Sequence, residues 1–333
     1  PVDWPETKLG PWLKEHLDTG SKVGFDPWLH TRDEIDAISK AVGDHLVLNP
    51  TDNLIDAIWD DRPAAPSAPA RAHPIKFSGE RSPDKRARLA ALLVEAGQSA
   101  AVITLPDSIC WLLNIRGTDI ARNPVPQAFA VLHGTGQVDL FAGAGKADDV
   151  LDHLGPDVSV HDVAGFLDAL AELKGRVLID AKSCPDIVAT TLRDAGCEVV
   201  EGKDPCILPK ACKNPTEIAG AKSAHDRDAV AMVRFLAWLD AAAPKGGLTE
   251  IDVVKALEDF RRQTNALRDI SFETICGAGP NGAIVHYRVS DETNRRVAKG
   301  DLLLVDSGGQ YVDGTTDITR TMAIGAVSYT HLT

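Results

Sequence analysis

The chain has 333 residues, 44% of them hydrophobic, more than one core usually organises, so length alone predicts two or three domains. Its 35 Lys and Arg against 48 Asp and Glu leave a net charge of -13, which repels phosphate backbones and anionic lipid and argues against nucleic acid as a partner. No stretch reaches about 18 uninterrupted apolar residues, and the first residues lack a basic flank before an apolar core; no membrane partner is expected and the cytoplasm is the default location.

Residues 1–61 hold SKVGFD, read as a short strand, and Thr31 followed three residues later by Glu34, a capping box that opens a helix to about Val42. They are few for an autonomous domain and start on Pro1 without a methionine, so they read as part of a first domain whose beginning is missing. Residues 62–74, RPAAPSAPARAHP, crowd Pro and Ala and lose hydrophobic periodicity, as a linker does.

In residues 75–208, Ser82 and Pro83 predict the cap of a helix with Leu89, Leu92 and Leu93 on one face, stopped by Gly97. The apolar runs AAVITL, CWLLNI, AFAVLH, QVDLFA, RVLID and CEVVEG read as strands, and VAGFLDALAELK and DIVATTLRDAG as helices, which together predict an α/β layer domain. The six cysteines contain no Cys-x-x-Cys pair and read as reduced thiols.

In residues 213–326, Asn214-Pro-Thr-Glu opens a long helix with Ala224, Ala231, Phe235, Trp238 and Leu239 near helical spacing, and Thr249 caps a second helix to about Gln263. The period then changes to that of strands in FETICGAG, AIVHYR, LLLVDSGGQY and DITRTMAIG, which predicts an α+β domain on an antiparallel sheet.

Asp306 and Asp317 are symmetric about the point between Tyr311 and Val312, with Asp313-Gly314 supplying turn chemistry just beyond. A hairpin closed there sets the two aspartates directly opposite, with Cβ atoms roughly 4.5–5.5 Å apart. Carboxylates that close repel unless a cation or a shared proton lies between them, and the spacing suits a two-metal site with ions roughly 3.5–4 Å apart. Asp306 would share its face with Leu302 and Leu304, partly shielded from water. Turn residues and an aspartate ending an apolar strand are the plainer reading of the same letters. LLLVD also fits the magnesium strand of a nucleotide hydrolase, but the nearest phosphate-loop string, GAGKA at Gly143, lacks the first glycine and the hydroxyl after lysine.

With its neighbours this stretch becomes recognisable. LLLVDSGGQYVDGTTDITRTMAIG resembles the metal-ligand strand pair of the aminopeptidase P (Xaa-Pro aminopeptidase) family, peptidase family M24, in the creatinase/methionine aminopeptidase, or pita-bread, superfamily. ETICGAGPNGAIVHYR and KNPTEIAGAKSAHDRDAVAMVRFLAWL agree with it, and WLLNIRGTDIARNPVPQAF and SKVGFDPWLH look like the middle and first domains of its long, three-domain form. The resemblance implies α/β creatinase-like (ribonuclease H-like) N-terminal domains followed by a truncated α+β pita-bread catalytic domain. It implies that Asp306 and Asp317 are metal ligands of a dinuclear site, with Asp317 bridging, and that His286 is a catalytic and substrate-binding residue that hydrogen-bonds the substrate. Manganese suits such oxygen-rich ligation, with cobalt or zinc as alternatives. The implied reaction is hydrolysis of an N-terminal Xaa-Pro bond by a metal-bridged hydroxide; the implied partners are peptides with proline in second position and a second copy of the chain in a homodimer.

The same resemblance asks for a histidine and two glutamates downstream of the strand pair, whereas the only later histidine is His331 and no Glu follows Asp317. VSYTHLT at 327–333 matches one reading frame of a transposon sequencing adapter, so that tail reads as non-native and the chain as an inactive fragment. A prolidase-type dipeptidase or a creatinase-like hydrolase is the alternative on the same fold. A metal-free pita-bread binding module is the alternative of another class, against which the intact Asp306 and Asp317 stand. His225 reads as structural or solvent-facing, and Arg116 and Asp119 as an ion pair or a dimer contact.

Overall fold

The computed structural model describes residues 7–326; Pro1, the tail at 327–333 and His331 lie outside the described residues. Two compact units divide the chain, the first made of residues up to His73, Glu80–Asp119 and Val125–Cys212, the second of Pro74–Gly79, Ile120–Pro124 and the chain from Lys213.

The first unit opens with α1 (Leu9–His16), β1 (Ser21–Phe25), α2 (Arg32–Val42) and β2 (Leu46–Pro50). Thr31 and Glu34 form the expected capping box on α2, and β1 pairs with β2 in parallel across the helix connection. Residues 62–70 form neither helix nor strand. After β3 (Arg71–Ala72) and α3 (Ile75–Ser78), which belongs to the second unit, come α4 (Ser82–Glu95), β4 (Ala100–Ile103), α5 (Pro106–Leu113), β5 (Ile115–Arg116), β6 (Ala128–His133), β7 (Val138–Ala142), α6 (Leu151–Leu154), β8 (Val158–Asp162), α7 (Phe166–Glu172), β9 (Arg176–Ile179), α8 (Asp186–Asp194), β10 (Glu198–Glu201) and α9 (Ile207–Ala211). Six strands make one mixed sheet in the order β10-β9-β4-β6-β7-β8, antiparallel only where β6 meets β4 and β7. One apolar cluster joins Leu89, Leu93, Ile109 and Leu112 to Ile103, Leu132 and Leu140; another joins Phe166, Leu170, Val188 and Leu192 to Val102, Val131 and Val177. Alternate residues of the strands feed the two clusters, so the sheet is buried on both faces, as an α/β layer fold requires.

Four local expectations for this unit are corrected. CWLLNI is the end of α5, not a strand: Ser108 to Leu113 are all buried, and an apolar run buried on every side carries no period to tell helix from strand. Asn114 ends that helix in the left-handed region at φ 52°, where Lys85 Nζ donates to its Oδ1 (2.8 Å) and to the Trp111 carbonyl (2.9 Å). Ser82 is inside α4 and not its cap, and Leu92 is exposed while Leu89 and Leu93 are buried. Asp119 ion-pairs with the buried Lys146, not with Arg116, so GAGKA spends its lysine on a structural pair and no phosphate loop forms there.

The second unit is built from α10 (Pro215–Ala242), α11 (Glu250–Arg262), β11 (Asp269–Ile270), β12 (Ile275–Ala278), β13 (Leu302–Ser307), β14 (Gly309–Gln310) and β15 (Ile318–Ala323). Capping boxes start both helices, Asn214 with Glu217 and Thr249 with Asp252. The sheet runs β12-β13-β15, antiparallel throughout. Met232, Phe235, Leu239, Val253 and Leu257 of the helices pack on Cys276, Ala278, Leu303 and Val305 of one sheet face. AIVHYR is not a strand: residues 279–283 form a short 3-10 turn and Val285 is 82% exposed, which no strand of this sheet would leave open. Among the described residues no helix is long and apolar enough to cross a membrane.

Candidate metal centre

Strand β13 alternates: Leu303, Val305 and Ser307 are buried, while Leu302, Leu304 and Asp306 are half-buried on the opposite face. Asp306 therefore shares its face with Leu302 and Leu304, as the alternation predicts. The register differs from expectation. Asp306 pairs with Thr319, not with Asp317, and Thr319 Oγ1 donates to Asp306 Oδ1 at 2.7 Å.

The cause lies in the turn. Tyr311 N–H donates to the Gly314 carbonyl (2.9 Å) and Thr316 N–H to the Gly309 carbonyl (2.9 Å), so the hairpin closes on Val312-Asp313, one residue later than the symmetric reading. Moving the centre by one residue moves the register by two, which keeps every side chain on its face. Asp317 thus remains on the Asp306 face, as a diagonal neighbour. Continuing the register sets it opposite Gly308, where any Cβ would run into the Thr316 carbonyl and Ser271 Oγ.

The two carboxyl groups are within hydrogen-bonding reach. Partial burial raises the Asp317 pKa, the Asp306 charge and the hydrogen bond between the two raise it further, and His225 on α10 opposes the rise. His225 is exposed and its Nδ1 contacts the Ala221 carbonyl (2.8 Å), so it is solvent-facing as expected yet near enough to Asp317 to be felt. Asp317 is also exposed, so water is less excluded from the pair than the sequence suggested. Two neighbouring carboxylates, of which Asp306 raises the proton affinity of Asp317, are donors suited to a divalent cation, although among the described residues no third His, Cys, Asp or Glu completes a cluster.

The loop that joins the two aspartates is held by a buried network. Arg261 Nε and Nη2 donate to Asp228 Oδ1 (2.7 Å) and Oδ2 (3.0 Å), both side chains are fully buried, and Tyr311 OH donates to Asp228 Oδ1 (2.7 Å). Burial opposes ionisation of Asp228, but Arg261, Tyr311 and Thr316 outweigh it and hold its pKa below the usual carboxylate range. Nearby, Arg227 donates to both oxygens of Asp313 and stacks on the Tyr311 ring, and Gly220 lets the Asp313 carbonyl approach α10, since a Cβ there would sit 2.5 Å from it. The loop between the aspartates is thereby pinned to α10 and α11. Sequence reasoning missed Asp228 and Arg261, although each interrupts an apolar stripe, Ala224-Asp228-Ala231-Phe235 and Val253-Leu257-Arg261. A charge on the buried face of a helix is the signal that would have found them.

His286 is exposed, on the turn Ile284–Tyr287 that Tyr287 N–H closes onto the Ile284 carbonyl (3.2 Å). Its φ of 54° is in the left-handed region. No hydrogen bond or ion pair joins it to Asp306 or Asp317 among the described residues. Arg320, on the opposite face from the aspartates, donates to the Thr319 carbonyl (2.7 Å).

Residues 61–217 match the creatinase/prolidase N-terminal domain and residues 219–332 match metallopeptidase family M24. Aminopeptidase P2 of Arabidopsis thaliana is 35% identical over 93% of this chain and 49% of its own length, and a probable Xaa-Pro aminopeptidase P of Aspergillus fumigatus is 36% identical over 94% and 50%. The X-prolyl aminopeptidase of Caenorhabditis elegans, described as a cytosolic enzyme with a di-nuclear active site, superposes with a TM-score of 0.89 at 27% identity, over 99% of this chain and 55% of that one. An Xaa-Pro dipeptidase from Bacillus anthracis shares the fold at TM-score 0.61 and 21% identity, over 76% of this chain and 68% of that one. The chain spans about half the length of the curated relatives it matches.

Proposed function

We propose that this chain carries the first two metal ligands and a substrate-facing histidine of a metal-dependent aminopeptidase that cleaves Xaa-Pro bonds at peptide N-termini. The observation that carries the reading is the Asp306–Asp317 pair, two neighbouring carboxylates of which Asp306 opposes the ionisation of Asp317, in a chain similar to Xaa-Pro aminopeptidases over nearly its whole length. Asp306 and Asp317 would hold two divalent ions, manganese by the oxygen character of the donors, with Asp317 between them. Bound there, such ions lower the pKa of water and polarise a carbonyl. Thr319 fixes the orientation of Asp306 by its 2.7 Å hydrogen bond, and the Asp228–Arg261–Tyr311 network holds the loop that leads to Asp317. His286 would hydrogen-bond the substrate at the scissile carbonyl, where negative charge develops.

In this reading residues 1–61 are part of a first domain, 62–74 a linker, 75–208 a middle creatinase-like domain and 213–326 the first half of a pita-bread catalytic domain. A homodimer is part of the proposal, and so is a cytosolic location, in keeping with the cytosolic nematode enzyme.

The test uses a polypeptide that carries this sequence at the length of its relatives, loaded with Mn²⁺. It is expected to release the first residue of Xaa-Pro peptides and to spare Xaa-Ala peptides. Asp306→Asn and Asp317→Asn are each expected to lower turnover at least roughly 10²–10³-fold, the scale of losing one group that stabilises developing charge. Undiminished turnover in either variant rules the reading out.

A further inference from the structure

Glu250, the first residue of α11, is fully buried, and its partners among the described residues are uncharged groups. Oε1 accepts from Ala278 N–H (2.7 Å) and from Asn281 Nδ2 (3.0 Å); Oε2 accepts from Tyr287 OH (3.1 Å) and Arg295 N–H (3.0 Å). Those donors stand at the end of β12, the start of the following loop, the residue after His286, and the loop's far end. One carboxylate thus ties residues 279–295 together at both ends and in the middle, and Asn281 Nδ2 adds a bond to the Tyr287 hydroxyl (2.9 Å). Burying a carboxylate without a cation is costly, even at a helix N-terminus that favours negative charge. The loop carries a second cost in the left-handed backbone of His286, at the third position of its turn where glycine or asparagine is usual. His286 itself is exposed and makes no hydrogen bond in the described structure, so the nearest fixed point to its ring is Tyr287, held by Glu250.

We propose that Glu250 is the positioning residue for His286, acting through Tyr287 and Asn281 to hold the exposed imidazole at one place above the sheet. The role rests on His286 facing substrate, as argued above. Glu250 itself touches no reacting atom.

Two variants test it. Glu250→Gln keeps the shape but turns one acceptor oxygen into a donor facing donors, and Tyr287→Phe keeps the ring and removes only the hydroxyl. In the 333-residue chain both are expected to speed hydrogen exchange at residues 279–295 by about tenfold, the equivalent of one lost buried hydrogen bond, while the amides of β13 keep their protection. At the length of the relatives and with Mn²⁺ bound, Tyr287→Phe is expected to lower kcat for Xaa-Pro peptides more than it raises KM, and His286→Ala/Tyr287→Phe to be no slower than His286→Ala alone. If Glu250→Gln fails to fold, the milder Tyr287→Phe decides. Unchanged loop exchange overturns Glu250 as the support of His286. Faster exchange with turnover indifferent to His286→Ala overturns the role of His286 instead, so the two failures are told apart.

Discussion

Asp228 and Arg261 are both fully buried, and removing either partner leaves the other's charge in the core of the second unit. Stranding a buried charge costs about 3–5 kcal/mol, whereas replacing both partners by apolar residues of similar volume is often close to neutral. Asp228→Asn is therefore expected to lower unfolding stability by about 3–5 kcal/mol, and Asp228→Leu/Arg261→Met to recover most of that loss. The recovered protein would still lack the acceptor of the Tyr311 hydroxyl, so the loop on residues 308–316 should exchange its amides faster and Mn²⁺ affinity should fall. Denaturant unfolding with parallel calorimetric Mn²⁺ titration checks both halves; a double variant as unstable as the single one would show that packing, not charge, dominates the site. The thiols offer a contrast: burial pushes Cys110 and Cys184 up to about 12, which keeps them protonated and inert.

The β13–β15 hairpin shows what an alternating sequence can and cannot specify. The faces of β13 follow from LLLVDS alone, because a period of two survives any shift of register by two. The pairing of Asp306 with Thr319 does not, because it depends on where the turn closes, and Val312-Asp313 is chosen by contacts with α10 that no local pattern encodes: Arg227 on Asp313 and the bare Gly220 beneath it. The histidine loop reads as a strand for a related reason. AIVHYR has the composition of a strand, yet Ile284 and Val285 face outward because Glu250, far upstream on α11, draws Asn281, Tyr287 and Arg295 inward. At this scale Gly308 is the sharpest probe. With no space for a Cβ between it and the Thr316 backbone, Gly308→Ala is expected to cost about 1–3 kcal/mol by overpacking and to separate Asp306 from Asp317. Weaker Mn²⁺ binding together with lowered stability is the expected result, and unchanged Mn²⁺ affinity would mean that the diagonal pairing of the aspartates is not what binds the ion.

At the scale of the whole molecule each unit has a core of its own, and the shifted His73 and the proposed Asp306–Asp317 site fall in different units, so different reagents should act on different units. His73, in the first unit, is pushed down from its ordinary 6.5 to about 3, by burial first and then by the charges of Arg116 and Lys85. Its folded form refuses a proton that the unfolded chain accepts, so the stability it leaves intact above about pH 6.5 is lost as pH falls from there toward 3, at up to about 1.4 kcal/mol per pH unit. Asp306 and Asp317, in the second unit, should respond to Mn²⁺, which at a hundredfold excess over its dissociation constant adds about 2.7 kcal/mol to whatever it binds. Hydrogen exchange at β4 and β6 reports the first unit and at β12 and β13 the second. Acidification from pH 6.5 is expected to loosen β4 and β6, an effect that His73→Gln flattens. Mn²⁺ near pH 7 is expected to tighten β12 and β13, an effect that Asp306→Asn removes and His73→Gln leaves alone. A Mn²⁺ response that survives Asp306→Asn would place the cation site away from the aspartate pair, and an acid response that survives His73→Gln would move the first unit's titration to another buried group.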